Sequence, residues 1–244
     1  MRQLARYPDR LRLSSVTALL AAGVMCASAD DRVTASASSP DKQWECRRTE
    51  IDQAAAENGV SSDCAIVRAG TTKPVVELPL HVGASADPDE VCAVLWAPDS
   101  KRFAYNYRAG GRYQTTNVYQ LRDGKWTELR SLEADETSEP LDGVQTAQLR
   151  KHKLPKDTRR RRIWDTWEVT RWADARTAIL YVFSNEAATA ENGDGEMVDL
   201  AAHFLFTIRF DERGNWRVIK AHQMSEKEVK AWNAPKDIDD AREE

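Results

Sequence analysis

A mainly β fold, built of antiparallel meanders with flanking helices, is what this chain predicts, and three observations carry it. Short aromatic or β-branched runs recur between residues suited to hairpin turns, and a unit made of a tryptophan, a tight turn and a strand occurs twice. Of 244 residues, 41% are apolar and 30% charged, the balance of a globular chain rather than of a disordered or multi-span membrane protein. No complete catalytic, metal or cofactor motif stands in the sequence, and no cofactor is expected.

Arg2, Arg6, Arg10 and Arg12 precede an apolar run from Leu13 to Met25 and the small residues Ala27-Ser28-Ala29. A basic head, a short apolar middle and an A-x-A pattern predict a signal peptide over residues 1–29 and a periplasmic or secreted destination. The run is about a dozen residues against the roughly 20 of a bilayer-spanning helix, so no transmembrane span is expected in the mature chain. Cys26 keeps a lipidated alternative open, although Gly23-Val24-Met25 depart in two places from the usual Leu-small-small pattern. Removing the segment, with its four arginines and Asp9, leaves 31 basic and 38 acidic side chains. The resulting charge of −7 argues against nucleic acid as a partner.

Three cysteines then remain, and Cys92 lies in an apolar run that reads as a buried strand. Cys46 and Cys64 are therefore the expected disulfide, worth roughly 3 kcal/mol in the chain-entropy account. Three reduced core thiols are the alternative.

Along the chain, residues 30–43 are rich in Ala, Ser and Asp and read as a disordered tether. Residues 44–129 read as a helix followed by a first meander: Ile51, Ala54 and Ala55 have helical spacing before Gly59. Val75–Val82 reads as an edge strand because Pro79 has no N–H to donate. Strands follow at Val91–Ala97, Lys101–Tyr107, Gln114–Leu121 and Lys125–Leu129, separated by Pro98-Asp99-Ser100, Gly110-Gly111 and Asp123-Gly124. Residues 130–162 read as a charged linker, acidic then basic, with a helix over Val144–Lys153 stopped by Pro155. Residues 163–234 read as a second meander with strands at Ile163–Trp172, Thr177–Asn185, Leu200–Phe210 and Trp216–His222. It closes with a helix announced by the capping-box pair Ser225 and Glu228, and residues 235–244 form a charged tail.

Trp96-Ala97-Pro98-Asp99-Ser100-Lys101 with Phe103-Ala104, and later Asp123-Gly124-Lys125, resembles the blade repeat of TolB-like β-propellers. Trp172 to Tyr181 with Gly214-Asn215-Trp216 is a degenerate second copy that lacks the proline. The resemblance implies a blade-type meander and nothing catalytic. Trp96 and Trp172 lie 76 residues apart, and a ring needs at least about four blades, so a sandwich or a curved sheet is expected rather than a closed propeller.

The candidate functional residues are few. Arg150 to Arg162 holds eight Lys or Arg, and Arg159, Arg160, Arg161 and Arg162 are its densest part, suited to an anionic envelope component or an acidic protein; a solvated connector is the plainer reading. Strand parity puts Trp164 and Trp172 on one face and Trp167 on the other, where it is either a binding platform or core. Asp199, His203 and His222 are the candidates for a small secreted hydrolase, without metal-ligand spacing. Loop Ala187 to Met197 would serve an inhibitor. The reading is an exported, non-catalytic binding module.

Overall fold

The computed structural model describes residues 32–50, 62–79, 92–189 and 197–233. Its strands fall into three antiparallel meanders of four, taken in chain order. The first comprises β1 (Arg32–Ser38), β2 (Trp44–Glu50), β3 (Ser62–Arg68) and β4 (Pro74–Leu78). The second comprises β5 (Cys92–Trp96), β6 (Arg102–Gly110), β7 (Tyr113–Arg122) and β8 (Lys125–Glu128). The third comprises β9 (Arg160–Asp174), β10 (Thr177–Ala188), β11 (Val198–Phe210) and β12 (Trp216–Gln223). Helix α1 (Asp135–Lys151) joins the second meander to the third, and α2 (Glu226–Trp232) follows β12.

The expected mainly β class is found, and the sheets are open. The first meander is a sheet of its own with β4 at its edge, as Pro79 predicts. The second and third share one eight-stranded sheet through a short parallel joint, in which Tyr113 lies opposite Asp165 and Gln114 opposite Thr166.

Recurring turns explain why each meander forms. Between the first two strands, Ser39-Pro40-Asp41-Lys42 and Ala97-Pro98-Asp99-Ser100 close in the same way. Lys42 N–H donates to the Ser39 carbonyl and Ser100 N–H to the Ala97 carbonyl, both at 2.9 Å, and Lys42 and Ser100 have φ of 59° and 57°. The aspartate then holds the backbone two residues on: Asp41 Oδ1 accepts from Gln43 N–H at 3.1 Å, Asp99 Oδ1 from Lys101 at 3.0 Å, and Asp174 Oδ1 from Arg176 at 2.7 Å. Between the third and fourth strands every meander uses a left-handed glycine, Gly70, Gly124 and Gly214, at φ 74–78°.

Two expectations are corrected by this repeat. The proposed tether at 30–43 contains β1 and the Pro40-Asp41 turn, so the repeat already includes Arg32–Ser38. The proposed helix from Trp44 is strand over Trp44–Glu50, since Trp44 and Cys46 alternate into the core; residues 51–58 lie outside the described residues. The predicted signal peptide, Cys26, the loop at 190–196 and the tail at 235–244 also lie outside them.

The meanders pack face to face. Phe103, Tyr105 and Tyr119 of the second meet Trp44, Cys46, Cys64, Ile66 and Leu78 of the first. Phe103 is the hub, 4.8–5.0 Å by ring centroid from Tyr119, Trp126 and Trp96. On its other face the second meander gives Ala104 and Val118 to a core with Trp167, Val169, Leu180, Val182, Phe204 and Phe206 of the third. The paired tryptophans of the repeat thus plug successive interfaces, Trp96 and Trp126 in the first, Trp172 and Trp216 in the second.

Beyond the parallel joint, β9 has no strand partner on one backbone edge among the described residues. Asn106, 2% exposed, replaces the strand: its Nδ2–H donates to the Val169 carbonyl at 2.8 Å and its Oδ1 accepts from Val169 N–H at 3.1 Å. Trp172 Nε1–H adds a bond to the Leu95 carbonyl at 3.0 Å.

The linker expected at 130–162 is largely α1, longer than the predicted Val144–Lys153. Its acidic start, Asp135 and Glu136, and basic end, Arg150 and Lys151, complement the helix dipole. Thr137, Leu141, Gln145 and Leu149, four apart, form the buried stripe. The predicted capping box is present: Ser225 N–H donates to Glu228 Oε2 at 2.7 Å, and Glu228 N–H to Ser225 Oγ at 3.3 Å.

Two substitutions test this architecture. Asn106→Ala orphans both polar groups of buried Val169 and is expected to cost about 3 kcal/mol by urea unfolding. A Cβ on Gly214 would stand 2.5 Å from Leu129 Cδ2 and 2.6 Å from Gln120 Oε1, whereas one on Gly124 meets nothing within 4 Å. Gly214→Ala is therefore expected to cost about 3 kcal/mol and Gly124→Ala about 1, the backbone contribution alone.

Candidate functional site

Arg159, Arg160, Arg161 and Arg162 sit where the chain enters β9. Arg160 pairs with Glu186 at 3.2 Å and Arg162 with Asp165 at 2.5 Å, which anchors them to the third meander. Arg159 and Arg161 are exposed and have no ion-pair partner among the described residues, and exposed Lys151, Lys153 and Lys156 flank them.

Trp167 is not a surface platform: it is 4% exposed, in the core beside Val169. It takes the core alternative; parity fails for Trp172, because β9 bulges between Val169 and Arg171, whose partners Leu180 and Ile179 are consecutive. The extra residue puts Trp172 on the core face with Trp167. Trp164 takes the opposite side, under the Arg108 guanidinium at 5.0 Å.

Cys46 and Cys64 face one core from adjacent strands, sulfurs 3.5 Å apart. That is contact rather than the roughly 2.05 Å of a disulfide, so the structure has the adjacency without the bond.

The hydrolase candidates do not converge. His203 Nδ1 is 2.9 Å from Tyr181 Oη, and its ring stacks on Phe183. Burial pushes its pKa down, which favours the neutral ring. His222, opposite Leu205 and diagonal to His203, instead bonds Glu228 Oε1 at 2.9 Å. Asp199 lies four residues from His203, about 13 Å along the strand, opposite Ala187. Among the described residues no group of three or more His, Cys, Asp or Glu side chains is arranged to hold a metal ion.

Two polar clusters escaped the sequence reading. One surrounds buried Asp165, which lies opposite Ser184; the Ser184 hydroxyl accepts from Gln145 Nε2–H of α1 at 3.2 Å. Burial pushes the Asp165 carboxyl up, outweighing the Ser184 hydrogen bond and the Arg162 charge, and Glu133 pushes the same way. Its signal was an acid amid apolar strand residues, visible only as a break in the pattern.

The other is an open pocket of about 630 Å³ at the turn end of the third meander, lined by Arg176, Arg209, Arg213 and Arg217 with Asp211 and Glu212. Arg176 and Arg213 come from two separate turns and Arg209 and Arg217 from β11 and β12, so no contiguous run announces them. The turn between β11 and β12 is fixed from below. Arg102 Nη1 and Nη2 donate to the Ala175 and Asp211 carbonyls at 3.1 and 3.0 Å, and Gln120 Nε2 donates to the Glu212 carbonyl at 3.0 Å.

No family model matches the chain, and no curated protein matches it. Among solved structures it is similar to a prolyl endopeptidase at TM-score 0.34 and 11% identity, over 78% of this chain and 29% of that one. It is also similar to TolB from Acinetobacter baumannii at TM-score 0.28 and 10% identity, over 78% of this chain and 44% of that one. The chain thus spans less than half the length of either.

A raised carboxyl pKa fixes the sign of a pH effect. Stability from Asp165 is fully present below the unfolded value of 3.8 and is lost as pH rises through the higher folded value. Asp165→Asn is expected to be more stable than the parent at pH 7, with the difference vanishing below pH 3.8, as read by urea midpoints across pH.

Proposed function

We propose that this chain is an exported, non-catalytic binding module that docks an anionic envelope component through the basic segment leading into β9. The observation that carries the reading is the division of labour in the arginine run: Arg160 and Arg162 are tied down by Glu186 and Asp165, while Arg159 and Arg161 stand exposed beside Lys151, Lys153 and Lys156. An anchored run presents its remaining cations at low entropic cost, and such a surface steers an anionic partner. Export is supported by the basic head, apolar run and A-x-A pattern of residues 1–29. A non-catalytic role is supported by Asp199, His203 and His222 having separate partners or none in common.

Co-sedimentation with vesicles rich in anionic phospholipid, against neutral vesicles, tests the reading. The protein is expected to bind only the anionic vesicles, with affinity falling as salt rises. Arg159→Ala/Arg161→Ala is expected to bind about thirtyfold more weakly, at roughly 1 kcal/mol for each of the two cations near a charged surface. Equal binding by parent and variant would overturn the proposal.

A further inference from the structure

We infer that the arginine-lined pocket at the turn end of the third meander is a recognition site for phosphate monoesters, separate from the basic segment at the start of β9. The two lie at opposite ends of β9, which begins at Arg160 and ends at Asp174, roughly 45 Å of extended chain.

Charge placement is the first support. Arg209 and Arg217 are direct cross-strand partners on β11 and β12, exposed and without an ion pair among the described residues. Like charges directly opposite each other destabilise a sheet, and a dianion between them reverses the sign of that interaction. Arg176 adds a third guanidinium from the turn between β9 and β10, and Arg213 a fourth from the turn between β11 and β12.

The acids around the pocket offset this set only in part. Asp211 keeps its charge, which the Asn215 hydrogen bonds at 2.8 and 2.9 Å and Arg213 hold ionised, but both its oxygens are turned to the loop. With it, Glu212 and Asp174, which interacts with Arg209, three acids stand against the four exposed arginines and the two guanidiniums behind them. Glu212 pairs with Arg176 at 3.2 Å, but it is 81% exposed, a weak and screened contact that an incoming dianion displaces.

Beneath the wall the field is reinforced. Arg102 is 4% exposed and spends two nitrogens on the carbonyls of Ala175 and Asp211, holding both turns in place. Arg122 Nε and Nη2 are buried with no hydrogen-bond acceptor, and Nη2 lies 3.0 Å from where a Cβ on Gly214 would stand. Two guanidiniums behind a rigid turn and four in front make a preorganised cationic bowl. Its volume of about 630 Å³ exceeds what inorganic phosphate fills and accommodates an ester with a sugar-sized body. Guanidinium forks match the geometry of phosphoryl oxygens.

Isothermal titration at low salt with inorganic phosphate, a hexose monophosphate and the unphosphorylated hexose tests the site. Both phosphates are expected to bind, the monoester at least as tightly, and the hexose not at all. Arg209→Ala/Arg217→Ala and the turn variant Arg213→Glu are each expected to weaken binding at least tenfold. Arg159→Ala/Arg161→Ala is expected to leave it unchanged, so failure here and failure of vesicle docking are distinguishable. Without phosphate, Arg217→Ala is expected to unfold at the parent's temperature or above it, because an unfavourable opposition is relieved. The proposal is overturned if the parent binds neither phosphate, if it binds the hexose equally well, or if the pocket variants bind as the parent does. Loss in the Arg159/Arg161 variant instead would move the anion to the start of β9.

Discussion

The side chain of Asn106 does what a β-strand would otherwise do. After two residue pairs of parallel joint, β9 diverges from β7, and its backbone at Val169 is buried with one edge open. A buried peptide group without partners is costly, and an amide side chain is the group that reproduces both a donor and an acceptor at strand geometry. The bonds from Asn106 let the sheet divide there, so that the second meander faces the third instead of lying flat beside it. The core of Trp167, Val169, Leu180 and Phe206 exists because of that fold-over, and so does the close approach of Arg102 and Gln120 to the turns of the third meander.

Features governed by neighbours in sequence were legible. The capping box at Ser225, the edge character around Pro79 and the Pro98-Asp99 turn each depend on a few adjacent residues, and each occurs as read. The same Pro-Asp turn at Pro40-Asp41, fifty-eight residues before Pro98-Asp99, is hidden by the Ala and Ser around it, whose composition is that of a linker. Apolar spacing at Ile51, Ala54 and Ala55 drew a helix back over Trp44, where alternation of Trp44 and Cys46 was the sounder local signal.

Features governed by partners in space were not legible. The bulge between Val169 and Arg171 is set by the register of β10, and it moves Trp172 from the face of Trp164, where parity had put it, to the core face of Trp167. Residues 130–162 read as one charged linker, whereas Asp135 and Glu136 open α1, Arg150 and Lys151 close it, and Arg160 to Arg162 already belong to β9. The pocket arginines are scattered from Arg176 to Arg217, and the pairing of Arg209 with Arg217 and the meeting of two turns bring them to one rim. The run at Arg159 to Arg162 was conspicuous in sequence, but which two of its members are committed depends on Glu186 and on Asp165.

The parallel joint also bears on the order in which the molecule assembles. Each meander closes through short hairpins, so its ladders cost little loop entropy and can form from contiguous chain. Tyr113 and Asp165 are separated by the whole of α1 and its flanks, and Asn106 lies 63 residues from Val169. Contacts of that separation are rewarded only once both meanders exist, so docking at the joint is the late, slow event of folding. The same docking brings Arg102 and Gln120 beneath the turns at Ala175, Asp211 and Glu212, so the support under the pocket's rim is completed only when the second meander meets the third.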